Sequence, residues 1–403
     1  MKKYILPFLI VVIPLLRPYS ISGINLDILA LLVVCFLFVI INRRFPVKNF
    51  ILKPYAIFTV YSMLIPPLAA VYLMGGGFSV VFLPLVVYIF ISMVAEKSDF
   101  QQSFRIYKWI VIACCVFFFI QEIVYHTTSL RISGLLPFLD NAYTKSLDMS
   151  TEDLIERQGS ISRSSSIFLE PAHFVQYIAP CLCIMLLKKE CSSILGILIV
   201  TLAMLLSRSG NGMVLLAISY TCYLFSGKVK LGWKLLFIFV VTGGLLFFST
   251  TQNGEEMLER TSELSTTNME RHSGFVRVYR GYILWNELSD PLKVLGVGKD
   301  TGPVFENSSF KWMFFSENDR FLNGIQSVLI CNGIIGLIII LVFFYRIYKF
   351  SAIDIYRRAL LYSFLILMFM ESIFNSSYMV FYLSLILCDY RKYISSKTQI
   401  RRV

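Results

Sequence analysis

Apolar blocks close to bilayer-spanning length recur along almost the whole chain, separated by short polar or basic connections. The blocks are continuously apolar and lack the two-residue alternation of a barrel strand. Helices are therefore the spanning element, because lipid offers the backbone no partners and a helix pairs its amides internally. The pattern predicts spans near 4–20, 24–41, 54–74, 78–95, 108–125, 167–187, 193–207, 211–226, 233–250, 321–345, 359–372 and 376–389. With both termini cytoplasmic, the basic connections "NRRFPVKNFILK", "LKKE", "GKVKLGWK" and "RIYKFSAIDIYRR" all fall inside. The connections around Arg17, "MGGG", "SRSG" and "ESIFNSS" then fall outside. About twelve transmembrane helices satisfy the charge rule at every short loop. The expected fold class is an all-α polytopic integral membrane protein, residues 1–403 forming a single membrane domain. Two longer outer loops lie near 126–166 and 251–320, and the later one carries short helices.

Composition supports this pattern: 57% of residues are hydrophobic and only 15% charged, too few to cover a soluble surface of this size. The net charge of +12 is absorbed by the inner loops, so no nucleic-acid partner is expected, while contact with membrane lipids is. The opening "MKKYILPFLIVVIPLL" reads as a retained first helix, because another span follows at once. The nine cysteines lie in or beside spans or in a basic turn, which argues against a disulfide framework or a thiolate zinc site. His126, His173 and His272 form no metal-ligand motif, and neither a metal nor another cofactor is expected.

Three stretches carry candidate chemistry. In "SISRSSSIFLEPAHFVQY", Pro171 suits a helix start and Glu170 meets the positive end of the helix dipole. His173 lies three residues on, where it can share a face with Glu170. Glu170 is a candidate to accept a proton or orient a hydroxyl, and His173 to shuttle a proton or hold the carboxylate. The alternative is a helix cap and an interfacial histidine. Arg163 is open between phosphate binding and solvation. In "LLSRSGNGMVLL", Arg208 stands on a short outer loop against the local charge preference, among small residues and Asn211. A guanidinium with exposed amides there can grip phosphate oxygens; the competing reading is a tight turn whose arginine snorkels. In "RHSGFVRVYRGYILWNELSDP", Arg277 and Arg280 share one face of an amphipathic helix above Ile283 and Trp285, ended by Pro291. That face suits a lipid diphosphate or plain anionic headgroups.

Other polar positions are more ambiguous. Glu371 and Asn375 mark either an outer turn between two spans or a break in one span that lines a cavity, and Asp27 and Glu122 raise the same question. "LMGGGF" and "LGVGKDTG" are glycine turns without the spacing of a nucleotide loop.

Together "SIFLEPAHF", "LLSRSGNGMVLL" and the late "KVLGVG" to "FLNGIQSVLICNGIIGLIII" pattern resemble the O-antigen polymerase and O-antigen ligase superfamily. The resemblance implies a metal-independent glycosyltransferase of the bacterial cytoplasmic (inner) membrane, acting on polyprenyl-diphosphate-linked oligosaccharides. It implies Glu170, Arg208 and Arg277 as catalytic groups, with Arg163, His173, Arg280 and Asn211 binding substrate. It also implies a chain-length regulator and a flippase as partners. Ligase-like members carry "HN" before the late helix, where this chain has Leu322 and Asn323, a departure that favours a polysaccharide polymerase. A ligase-type transferase and a lipid-linked sugar transporter are the alternatives.

Overall fold

The computed structural model describes residues 4–21, 24–42, 50–69, 82–130, 132–136, 139–141, 164–227, 232, 279–299, 301–308 and 321–394. The expected span 233–250 lies outside them, as do Arg163, Arg271, His272 and Arg277.

The described residues are overwhelmingly helical. In chain order they form α1 (Ile5–Val12), α2 (Leu26–Asn42), α3 (Lys53–Ala69), α4 (Leu83–Lys97) and α5 (Phe100–Thr128). After the first long loop come α6 (Pro171–Leu187), α7 (Ile194–Leu206) and α8 (Gly210–Leu224). The short helices α9 (Arg280–Glu287), α10 (Asp290–Leu295) and α11 (Gly302–Glu306) precede α12 (Gly324–Ser351), α13 (Ile355–Met370) and α14 (Ser377–Leu387).

Among the described residues two helices, α5 and α12, are long and apolar enough to cross a membrane. At 1.5 Å per residue each exceeds the roughly 30 Å hydrocarbon layer. α5 begins well before its apolar stretch because Asp99 caps it, accepting from the Gln102 amide at 3.1 Å. It ends at Ser129, in the left-handed conformation (φ 58°). The first expected span is not one uniform helix. α1 tightens into a 3₁₀ turn over Ile13–Leu16, where Pro14 removes an amide donor, and the chain then turns into strand β1 (Tyr19–Ile21). β1 pairs antiparallel with both β2 (Ile24–Asn25) and β3 (Asp140–Asn141), Ser20 lying opposite Asn25 and Asp140.

α6 and α14 form the centre of the bundle. Both are buried on nearly every side, and Tyr107, Tyr177, Phe381 and Tyr382 pack around them. The outward faces are apolar rather than polar: Phe36 and Ile41 on α2, Trp109 and Ile123 on α5, and Ile194, Leu195 and Leu198 on α7 are all exposed. A helix face of this kind is suited to lipid.

α12 is interrupted. Gly333 adopts φ 62°, ψ −170°, outside helical geometry. The carbonyls of Ile330 and Cys331, which a regular helix would bond four residues ahead, instead accept from the amides of Val297 and Gly298, both at 2.9 Å. Two glycines permit this approach. A Cβ at Gly333 would lie 2.3 Å from the Val294 oxygen, and one at Gly296 (φ 93°) would lie 2.5 Å from the Cys331 oxygen. Tyr61 Oη donates to the Leu295 carbonyl at 2.7 Å and fixes the same segment to α3.

Besides hydrogen bonds within the bundle such as Tyr382 Oη to the Gln176 carbonyl, polar contacts between helices gather at two ends. At one end Arg357 donates to the carbonyls of Ile386 and Cys388, and Lys392 reaches Asp99 at 2.9 Å. Arg391 lies 3.9 Å from Glu96 there. The other end holds the β1–β3 pairing, the start of α6, the α7–α8 turn, the start of α12 and the end of α13.

Candidate functional site

The second end gathers polar groups from the end of α13, the start of α12 and the α7–α8 turn around Glu371. Glu371 follows the last turn of α13 in an extended conformation (φ −137°), and its backbone carbonyl accepts from Gly324 at 2.9 Å. The start of α12 is thereby tied to the end of α13, and a Cβ at Gly324 would lie 3.1 Å from the Met368 oxygen. α12 begins with a capping box: the Gln326 amide donates to Asn323 Oδ1 at 2.9 Å, and the Asn323 amide to Gln326 Oε1 at 3.2 Å.

The Glu371 carboxylate is buried, and Asn211 Nδ2 donates to its Oε1 at 2.7 Å. A typical intramolecular hydrogen bond contributes about 0.5–1.5 kcal/mol. This one fixes the α7–α8 turn against α13. Within that turn Ser207 Oγ donates to the Met204 carbonyl at 2.7 Å, and Ser207, Ser209 and Asn211 are all buried. Arg208 is exposed between them, held in the left-handed conformation (φ 51°), and Gly210 has open space at its Cα. Gly212 lets α8 approach α6, since a Cβ there would lie 3.1 Å from Val175 Cγ1.

Glu170 is the N-cap of α6. Its backbone carbonyl accepts from His173 and Phe174, while its carboxylate makes no capping bond and is exposed. The expected helix start at Pro171 is in place, but the carboxylate faces outward instead of capping. His173 is half-buried, and its ring stacks on Tyr378 with centroids 6.2 Å apart. Tyr378 Oη donates to the His173 carbonyl at 3.0 Å, and the Arg17 guanidinium covers the other ring at 5.2 Å. The preceding serines are bonded to α5: the Ser166 amide donates to Gln121 Oε1 at 2.8 Å, and Ser166 Oγ to the Cys114 carbonyl at 2.8 Å. Glu122 accepts from the Ser164 amide at 3.3 Å and lies 3.7 Å from His126, so it serves this attachment.

Arg280 differs from its expected placement. It is buried, and its Nη2 donates to the Phe321 carbonyl at 2.8 Å, joining α9 to the chain that enters α12. The expected amphipathic helix also ends earlier, at Glu287. Pro291 lies in the first turn of α10, where a missing amide costs little. Leu284, Leu288 and Leu292 supply its apolar contact, with Trp285 packed alongside and Ile283 only half-buried. Asp27 is a helix-start residue, its Oδ1 accepting from the Ile28 amide at 2.8 Å.

Asn211, expected as a substrate contact, is therefore committed to Glu371, and Arg280 to a backbone carbonyl. Among the described residues, Arg208 and Glu170 are the expected groups that are exposed. Sequence reasoning left Glu371 unassigned and missed Arg17 and Tyr378. Among the described residues no three His, Cys, Asp or Glu side chains cluster as metal ligands do. No protein-family model and no curated protein matches the chain.

Proposed function

We propose that the protein is a membrane glycosyltransferase that polymerises polyprenyl-diphosphate-linked oligosaccharide repeats on the outer face of a bacterial cytoplasmic membrane. The observation that carries the reading is the Asn211–Glu371 bond, which brings the "SRSGNG" turn and the "ESIFNSS" turn together beside the start of α6. An exposed guanidinium, Arg208, then stands on a turn braced by a buried carboxylate, at the end of the bundle that also carries Glu170. The apolar outward faces support insertion in lipid, and the positive-inside pattern puts this end outside.

The reaction requires little of the protein beyond charge and alignment. The acceptor sugar's hydroxyl oxygen bonds to the donor's anomeric carbon, the bond from that carbon to the phosphate oxygen breaks, and polyprenyl diphosphate leaves with the electron pair. Arg208 stabilises the developing phosphate charge. Glu170, outward-facing at a helix start, takes the hydroxyl proton. Asn211 and Glu371 hold the arginine turn, and His173 on Tyr378 fixes the start of α6. Arg280 sets the position of the late segment through Phe321, and Arg277 and Arg163 are further phosphate contacts in this reading.

The test is to incubate the purified protein in lipid with defined polyprenyl-diphosphate repeats and no nucleotide sugar. Longer chains on the lipid support the reading, and an unchanged substrate sinks it. The interrupted α12 favours one second reading, a lipid-linked sugar transporter, since discontinuous helices line transport sites. That alternative predicts movement of the substrate between leaflets without chain growth.

A further inference from the structure

The break in α12 opens a cleft that the transfer reaction does not use. It is lined by Ser62 of α3, Gly298 and Lys299, Asn332 beside the break, and Phe374 and Asn375 of the turn after α13, with Ser327 and Cys331 at its wall. Its side chains offer more hydrogen-bond donors than acceptors, Asn332 Oδ1 remaining as an acceptor. Asn375 Oδ1 is occupied by the Tyr55 hydroxyl, which donates to it at 2.5 Å. Ser62 Oγ accepts from Asn332 Nδ2 at 2.9 Å. These bonds consume acceptors and leave donors: the Asn375 amide hydrogens, the second Asn332 amide hydrogen and the Ser62 hydroxyl. Asn332 and Asn375 are each only 7% exposed, so these donors are held in place. Lys299 is exposed at the mouth, and among the described lining residues there is no carboxylate.

A cleft whose described lining is richer in fixed donors than acceptors, with an ammonium and no carboxylate among those residues, is matched to a group of several negative oxygens. We infer that this cleft is an anion site for a phosphate or diphosphate group, presented free in solution or on a lipid headgroup. The positions that make it are backbone-determined. Asn375 sits in the left-handed conformation (φ 55°), and Gly333 and Gly298 (φ 84°) turn the chain so that Asn332 and Lys299 reach one opening.

The site stands on its own groups, and its test reads binding rather than transfer. The full-length protein in phosphatidylcholine nanodiscs is titrated with inorganic diphosphate, followed by calorimetry and phosphorus resonance. A saturable component is expected that is at least tenfold weaker in K299E and in N375D, which keeps an oxygen for Tyr55, and that persists when any Arg208-dependent component is lost in R208A. Discs doped with polyprenyl diphosphate, or with phosphatidylglycerol, distinguish the sources. Competition by either lipid assigns the site to a headgroup, and its absence assigns a free anion. No binding in any arm, or binding lost in R208A and retained in K299E and N375D, overturns the inference.

Discussion

Asn211 and Glu371, 160 residues apart in sequence, are joined by one buried hydrogen bond that closes the α7–α8 turn onto the end of α13. Removing Glu371 strands the buried Asn211 amide in a dry place. Glu371→Ala is expected to destabilise the protein by about 1–3 kcal/mol, because Asn211 loses its acceptor. A double-mutant cycle with Asn211→Ala, read by thermal melting in detergent, should give a coupling of comparable size. Additive losses would remove the pair as a brace.

Arg208 offers a cleaner separation of chemistry from folding. A non-glycine residue in the left-handed region costs about 1–2 kcal/mol. Arg208→Gly should leave melting unchanged or slightly raised while abolishing polymer growth. Equal activity in the glycine variant would strip the guanidinium of its role.

Glu170→Gln should lower turnover with little change in the affinity for lipid-linked substrate, since its exposed carboxylate makes no capping bond whose loss would unfold α6. A 10²-fold fall is the order expected for a lost general base. Full turnover in this variant would leave the hydroxyl proton to another acceptor.

The Gly333 break is expected to tolerate no side chain. Gly333→Ala combines a positive φ with a Cβ placed 2.3 Å from the Val294 oxygen. Strain of about 1–3 kcal/mol from the backbone alone, before the contact is relieved, should appear as a lower melting temperature. The segment 290–299 should also become open to protease. A stable, protease-resistant alanine variant would show that the break is not needed.

At the opposite end, Asp99 and Lys392 make stability depend on pH. Partial burial pushes the Asp99 carboxyl up, but the hydrogen bond from Lys392, the amides of Gln102 and Gln101 and the Lys392 charge together hold it below its usual 3.8. Hydrogen bonds to Asp389 and Asp99 raise the Lys392 ammonium above its usual 10.5, against some desolvation. The depressed carboxyl stabilises the fold above its ordinary titration range, and this is lost as pH falls through the native value. The raised ammonium stabilises below 10.5, and this is lost as pH rises through its native value. Asp99→Asn should therefore lower melting at neutral pH by roughly 0.5 kcal/mol or less, the scale of a solvent-exposed pair. The difference should vanish in strong acid.

Much of this architecture was legible in the sequence, and the misses have local causes. Helix identity followed from apolar continuity, but apolar windows placed the start of α5 late, because its first turns, "FQQSFRIYK", are polar and announced only by the Asp99 cap. The Asn-Gly pair at 332–333 is a turn signal inside an apolar block, and the surrounding isoleucines concealed it. Helical spacing put Arg280 on an outward face with Arg277; packing of α9 on α12 reversed that, since a guanidinium can be buried once a carbonyl accepts from it. The α7–α8 turn was visible, yet its attachment to Glu371 was not, because no local pattern encodes a bond between residues so far apart.

The interlock at the α12 interruption sets what the late segment can do. Because the amides of Val297 and Gly298 complete the hydrogen bonding of a major helix, residues 294–298 belong to the scaffold, and swinging them aside as a gate would expose two carbonyls in the interior. Adding or deleting a single residue there would place the wrong amides opposite Ile330 and Cys331. Length variation in this loop is thus confined to stretches on either side of that clasp.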